Sequence, residues 1–429
     1  MSATPKILVV TYGGGHAAAM APVVAALRAD GRVEVVALGL TTASVVYARL
    51  GVACRGYIDY LPGGSERERI LEIGTRLLAD MAGTSSAVSE EESRAYLGSC
   101  MADLIDAQGE ETAWRLYREL GRHAFDPERT LRRILQTERP DVVVTTNSPK
   151  SERAALRAAR ALAIDAVMVP DLFCHPSWGE MYFPFEADHF AVLSVIAARN
   201  LTTLHGIDPS RVSVTGQPAF DKQHVPDRAT ALHYVRAQIG AAIDDGYRLV
   251  TTSPDVADAT YPAQGSRDSE CAVRALLNRS ATAPLIVIKP HPSEPRALWE
   301  GLAAGHAGVV VAPAGADVNL LLRAADGLVA ASSTSAVIDA LSLDVPTVVC
   351  SVARPAMRDV FPWADLAVPV LRVPEAVAEL GSRAAMTAAI PPGQQAVREE
   401  FRRVNAGATT RVAELLLARA AAHAHSSQS

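Results

Sequence analysis

The residues best suited to chemistry stand in four polar loops, each directly after a short apolar run. The first is Gly13-Gly14-Gly15-His16, between the apolar run Lys6–Val10 and the helically spaced Ala17–Arg28. Glycines in a turn let a backbone approach a ligand, and the helix start that follows favours negative charge. Gly14 and Gly15 are therefore read as substrate-contacting, and His16 as a general base, since an imidazole titrates near neutral pH. The spacing is not that of the dinucleotide fingerprint GxGxxG, because Ala18 and Ala19 follow.

The second loop is Lys289-Pro290-His291-Pro292-Ser293-Glu294, after the apolar run Leu285–Lys289. Its prolines exclude helix and stiffen the chain, which holds Lys289 and His291 at the strand end. A cation and an imidazole there suit a phosphate or diphosphate. The third loop, Ser332-Ser333-Thr334-Ser335, lies between Leu328–Ala331 and the helical Ala336–Ser342. Hydroxyls at a helix start can cap it or bind phosphate oxygens. Asp339, one turn on, offers a carboxylate to ribose hydroxyls. The fourth loop, Thr251-Thr252-Ser253-Pro254-Asp255, adds Thr252 and Ser253 as ligand contacts. Three such loops at the strand ends of one sheet would converge on one crevice ligand.

The elements that must position these loops alternate along the chain. Strand, glycine turn, helix and strand over the first 60 residues make a βαβ unit and imply a parallel sheet. Residues 63–139 instead show helical periodicity without a strand, and read as an insertion that covers the sheet, binds an acceptor or forms a homodimer contact. Strands resume at Asp141–Thr145, Ala166–Val169, Phe190–Leu193 and Val212–Thr215. A second series runs Arg248–Thr252, Leu285–Lys289, Val309–Val311, Leu328–Ala331 and Thr347–Cys350. Residues 222–246 read as a polar helical bridge, and Gln394 to Ala422 as one long helix packing back across the domains. The expected division is 1–221, 222–392 and 393–429, an α/β pair of Rossmann-like domains with a terminal helix.

Bulk composition is consistent with that division. With 429 residues and 49% hydrophobic content, the chain can bury two sheets. Its net charge of −6 and 5% aromatic content give no footprint for nucleic acid. Five scattered cysteines without a CxxC pair read as reduced thiols. There is no HExxH or similar cluster, so neither a metal nor a cofactor is expected. The N-terminus has no signal-peptide pattern and no run reaches the roughly 18 apolar residues of a membrane span, so a cytoplasmic protein is expected.

With these motifs in place, the chain resembles the superfamily of GT-B glycosyltransferases and UDP-N-acetylglucosamine 2-epimerases. "GGGHAAAMAPVVAAL" is similar to its glycine-rich first loop, and "VTGQPAFD" to the turn that ends its N-terminal domain. "SSTSAVIDALSLDVPTVV" is similar to its nucleotide-binding segment. The pairing of "KPHP" with "SSTS" also resembles CMP-sugar and polyol-phosphate transferases, where the histidine and serines hold the nucleotide phosphate. The resemblance implies a GT-B fold with a UDP- or CMP-sugar between two Rossmann-like domains. Ser333 to Ser335 would contact phosphate, and Asp339 would take the ribose-binding position.

The sequence departs from the 2-epimerases where those carry acid–base carboxylates. The corresponding loop reads Thr145-Thr146-Asn147-Ser148-Pro149-Lys150, with no acid before Glu152, and the next strand end supplies only Asp171. Transfer demands less: a base for the acceptor and a clamp for the departing phosphate. The expectation is thus an inverting, metal-independent glycosyltransferase. His16 or Asp171 serves as base, Lys289 and His291 stabilise developing charge, and Asn147 is a further substrate contact. His175 and Asp188, near Trp178 and Tyr182, are candidates for the acceptor side. A 2-epimerase would need Asp171 and Glu152 beside C2, and a non-catalytic nucleotide-sugar-binding subunit would need no base. Family habit places such enzymes in bacterial glycan or secondary-metabolite assembly.

Overall fold

A computed structural model describes residues 4–80, 88–176, 186–240, 243, 246–253, 265–277, 285–292, 294–331, 334–351, 361–371, 383–388 and 395–426. The chain forms two compact units, residues 1–219 with 407–429, and residues 220–406.

The first unit is built on strands β1 (Lys6–Tyr12), β2 (Glu34–Leu40), β3 (Val142–Thr145), β4 (Asp165–Met168), β5 (His189–Val192) and β6 (Val212–Val214). They form one parallel sheet in the order β2-β1-β3-β4-β5-β6. Continuous Val, Ile and Leu runs, buried on both faces, are what a parallel sheet requires of its strands. The connecting helices are α1 (Gly14–Asp30), α2 (Thr42–Arg49), α7 (Ser151–Ala161) and α8 (Val195–Arg199). The described residues of the insertion form four α-helices: α3 (Gly64–Ala79), α4 (Glu90–Gln108), α5 (Glu110–Leu120) and α6 (Glu128–Glu138). α3 and α4 touch backbone to backbone: a Cβ added at Gly98 would lie 1.9 Å from the Ile70 carbonyl oxygen, and one at Gly74 2.1 Å from that of Arg94.

The second unit carries β7 (Tyr247–Thr251), β8 (Leu285–Lys289), β9 (Val309–Val311), β10 (Gly327–Ala331), β11 (Thr347–Cys350) and β12 (Val370–Leu371), parallel in the order β12-β11-β10-β7-β8-β9. Around them lie α9 (Arg228–Ile239), α10 (Gly265–Leu277), α11 (Arg296–Ala303), α12 (Val318–Ala324), α13 (Ala336–Ser342), α14 (Arg383–Ala388) and α15 (Gln395–Asn405). A last helix, α16 (Ala408–Ser426), returns to the first unit.

Two local expectations are corrected. The tail is not one helix, because Gly407 takes a left-handed φ of 74° and divides α15 from α16. Arg398 of α15 donates to the Val345 carbonyl, whereas Val412, Leu416 and Ala420 of α16 enter the core of the first unit. Likewise only Gly13, at φ 90°, makes the first turn. Gly14 and Gly15 already belong to α1, which leaves their N–H groups at its open end.

Candidate functional site

In both sheets the strand order reverses about a central pair, β1/β3 in the first and β7/β10 in the second. The loops leaving such a pair diverge and open a crevice at the carboxyl ends of the strands. Most sequence-predicted residues lie on those loops or on the ones beside them.

In the first unit Val10 is opposite Thr145, so Tyr12–Gly13 and Thr146–Asn147 emerge side by side. His16, in the first turn of α1, brings Nδ1 to 2.5 Å from the Thr146 hydroxyl. That hydroxyl donates to Glu152 Oε2 at 2.6 Å. Glu152 is fully buried and also accepts from Ser148 N–H at 2.9 Å and, through Oε1, from Tyr12 N–H at 2.7 Å. Thr146 has one proton and gives it to Glu152, so its oxygen can only accept from His16. Nδ1–H is therefore the donor, and on the neutral ring Nε2 keeps its lone pair. A carboxylate, a hydroxyl and an imidazole in sequence thus hold His16 in the tautomer of a base.

Asp171 stands at the end of β4, where its N–H donates to Asn147 Oδ1 at 3.1 Å. Asn147 is 3% exposed, so its carbonyl group joins two strand ends. Asp171 Oδ1 is buried and accepts no hydrogen bond from the described residues. Asp188 does not join this group: its carboxylate accepts from Ala166 N–H at 3.0 Å, at the opposite, amino-terminal edge of the sheet. His175 lies between the end of β4 and residues 177–185, and Trp178 and Tyr182 are outside the described residues.

In the second unit Thr251 is opposite both Lys289 and Ala330, which brings three polar loops to one edge. Thr252 donates to Glu294 and accepts from the His291 N–H at 3.0 Å, and the same N–H also reaches Glu294 Oε2 at 3.0 Å. Ser253 N–H donates to Ser269 at 3.0 Å. Lys289 Nζ is held by the Ala314 carbonyl at 2.9 Å; burial, then the charge of Arg296, lowers its pKa. His291 stands exposed at the loop, and partial desolvation lowers its pKa against the opposing pull of Glu294. The Thr334 hydroxyl accepts from the Ala336 N–H at 3.3 Å, just before α13, and Ser335 is exposed beside it. Ser332 and Ser333 lie outside the described residues. Asp339 is paired with Lys222 at 2.7 Å, the two side chains only 15% and 8% exposed.

Four participants escaped the sequence reading: Thr146, Lys222, Glu294, and Glu152 in its anchoring role. For Glu152 a signal was present, an acid in the first turn of α7. Lys222 and Glu294 carry no local signal, since their partners are 117 and 42 positions away. Among the described residues no three His, Cys, Asp or Glu side chains are grouped as a metal site, and no helix is long and apolar enough to cross a membrane.

No family model and no curated protein matches the chain. Among solved structures it is similar to UDP-GlcNAc 2-epimerase from Neisseria meningitidis bound to UDP-GlcNAc, with 15% identity over 96% of this chain and 99% of that one and a TM-score of 0.59. A Staphylococcus aureus MnaA–UDP co-structure aligns at 14% identity over 95% and 94% of the chains, TM-score 0.58. The glycotransferase of kitacinnamycin aligns at 15% identity over 97% and 100%, TM-score 0.54. The likeness concerns the fold, and the fold is the GT-B architecture expected from the sequence.

Proposed function

We propose that this GT-B chain is an inverting glycosyltransferase that takes its sugar from a UDP- or CMP-linked donor, with His16 as the base that activates the acceptor hydroxyl. The observation that carries the reading is the Glu152–Thr146–His16 series, with successive contacts of 2.6 and 2.5 Å. It leaves Nε2 as the acceptor of a proton. Single displacement needs such a base on the attacking side and stabilisation of the departing phosphate on the other. The second unit's loops around Thr252, Lys289, His291 and Thr334 would hold the nucleotide, and Asp339 its ribose. No bound metal or cofactor is required for these steps.

A second reading, 2-epimerisation of a UDP-N-acetylhexosamine, draws on the structural neighbours that are UDP-GlcNAc 2-epimerases. Chemistry at C2 needs acid–base groups around that carbon. Glu152 is fully buried and accepts three hydrogen bonds, which leaves Asp171 as the carboxylate with a spare oxygen at these strand ends. That asymmetry favours transfer.

The test is to follow UDP-GlcNAc and a CMP-sugar by proton NMR, first alone and then with pooled hydroxylated acceptors. Transfer predicts a stable donor until an acceptor is added. It also predicts a loss of about 10²–10⁴ in kcat for His16→Ala, with the thermal shift by UDP or CMP retained. Epimerised donor without acceptor, undiminished in His16→Ala, would sink the transferase reading. A wild type shifted by neither nucleotide would remove nucleotide-sugar chemistry altogether.

A further inference from the structure

Close to the His16 series the first unit presents two cations that have no anion among the described residues. Lys150 precedes α7 and is partly buried, yet among the described residues its ammonium makes neither ion pair nor hydrogen bond; Nζ lies 5.1 Å from the centroid of the Tyr12 ring. Arg122 sits on the short turn Gly121–Ala124 between α5 and α6, exposed and likewise without an ion pair. The two repel: burial first, then the charge of Arg122, lowers the pKa of Lys150. Withdrawing an ammonium from water without a counter-charge is unfavourable, and a neighbouring guanidinium adds to the cost.

The surface beside these cations is aromatic. Tyr12 meets Tyr96 at 5.9 Å, Tyr96 meets Phe125 at 6.4 Å, and Phe125 stacks on Tyr117 at 5.4 Å. Tyr96 and Phe125 are buried supports, whereas Tyr12 and Tyr117 remain partly open. Tyr12 leads directly into the turn that carries His16, and its N–H is bound by Glu152. The inserted helices and the turn between α5 and α6 therefore bring ring surface and the charge of Arg122 up to Tyr12 and Lys150, and Tyr12 lies on the strand that leads to His16.

We infer that this patch anchors the acceptor, and that the acceptor is an aromatic hydroxy acid: its ring beside Tyr12, its carboxylate on Lys150 and Arg122, its hydroxyl towards His16. The identity of the patch as an acceptor site rests on the transferase reading; its affinity for such an acid does not. Ion pairing to a carboxylate explains the two unmatched cations, and stacking explains the open ring of Tyr12.

Calorimetric titration of the full chain without donor separates the two ideas, with 4-hydroxybenzoate against 4-hydroxybenzamide, and 3-hydroxybutyrate as the non-aromatic acid. The wild type is expected to bind the benzoate about 10-fold or more tightly than either comparator. Lys150→Met and Arg122→Gln should each collapse the acid-over-amide preference, and Lys150→Arg should keep it. Arg122 is exposed on a surface turn, so its variant carries the test should Lys150→Met fail to fold. Equal binding of acid and amide by the wild type, or a preference that survives Arg122→Gln, overturns the inference. Preferential binding of the acid with no sugar transferred to it from UDP- or CMP-donors would leave the anionic site standing and remove the transferase reading alone.

Discussion

Thr146 is the residue on which the proposed base depends, because one hydroxyl serves both neighbours. Thr146→Val keeps the shape and deletes the relay, leaving Glu152 Oε2 with only the Ser148 N–H and His16 Nδ1 without its acceptor. Removing one partner of a buried hydrogen bond costs about 1–3 kcal/mol. The variant should therefore melt earlier and lose activity, whereas Thr146→Ser should retain both. Urea denaturation and donor-consumption rates measured together check this, and a Val variant as active as the wild type would remove the relay from the chemistry. Glu152→Gln poses a related problem. Its NH₂ must face either Tyr12 N–H or Ser148 N–H, so one backbone donor meets another donor. We expect a destabilisation of about 1–3 kcal/mol in urea despite identical volume; an unchanged midpoint would show that the pocket can rearrange. His16 was legible in the sequence because glycines and an imidazole after an apolar run form a local pattern. Thr146 was not, because it becomes special only when β3 emerges beside β1 and α7 turns Glu152 back onto both.

At the scale of elements, the strands were legible and the contacts between helices were not. Short Val- and Ile-rich runs bounded by turns favour buried strands through their length and β-branched content, whereas β12 is two residues long and offers no such run. The break at Gly407 was hidden inside continuous Ala- and Arg-rich helical spacing. The α3–α4 crossing is equally invisible from sequence, since a glycine inside a helical pattern is merely an unfavourable residue. Helix propensity alone predicts that Gly98→Ala stabilises by about 1 kcal/mol. The added Cβ would meet a backbone carbonyl of α3 at 1.9 Å, and backbone cannot move aside as a side chain can. The expected sign is therefore reversed, and a raised melting temperature for Gly98→Ala would show that the helices are not so closely seated. Asp103 makes a second test of the same bundle. It is 8% exposed and accepts from the Thr130 N–H and hydroxyl of α6, and burial raises its pKa from 3.8 to about 6. An acid with a raised folded-state pKa binds more protons folded than unfolded, so its contribution is present below pH 3.8 and lost as pH rises through about 6. Asp103→Asn can keep both hydrogen bonds and never ionises. Its stability relative to wild type should rise between pH 4 and pH 7 by roughly 2–3 kcal/mol; a difference independent of pH would mean that Asp103 ionises without penalty.

At the scale of the molecule, the chain leaves the first unit near Ala219 and re-enters it at Gly407, so α16 completes a core begun by β1 and α1. Leu416 of α16 is fully buried in the cluster that holds Ile7, Val24 and Val144. Arg419 reinforces the docking through paired contacts of 2.5 and 2.7 Å to Asp165 at the start of β4. The C-terminal helix should therefore govern the first unit's stability, while the proposed nucleotide loops belong to the second. Leu416→Ala removes a buried side chain at a cost of about 2–5 kcal/mol. Hydrogen exchange resolved by peptide should register it as lost protection in β1, β3 and α1, with β7, β8 and β10 retaining more of theirs. Ligand binding acts on the same scale in the opposite direction, since a ligand raises the opening free energy of the residues it holds. Adding UDP or CMP should protect the segments around Thr252, His291 and Ala336, in the wild type and in Leu416→Ala alike. If the substitution instead deprotects both units equally, the 429 residues open as one cooperative body. If the nucleotide protects the loops around His16 and leaves the second unit unchanged, the assignment of donor and acceptor to the two units must be exchanged.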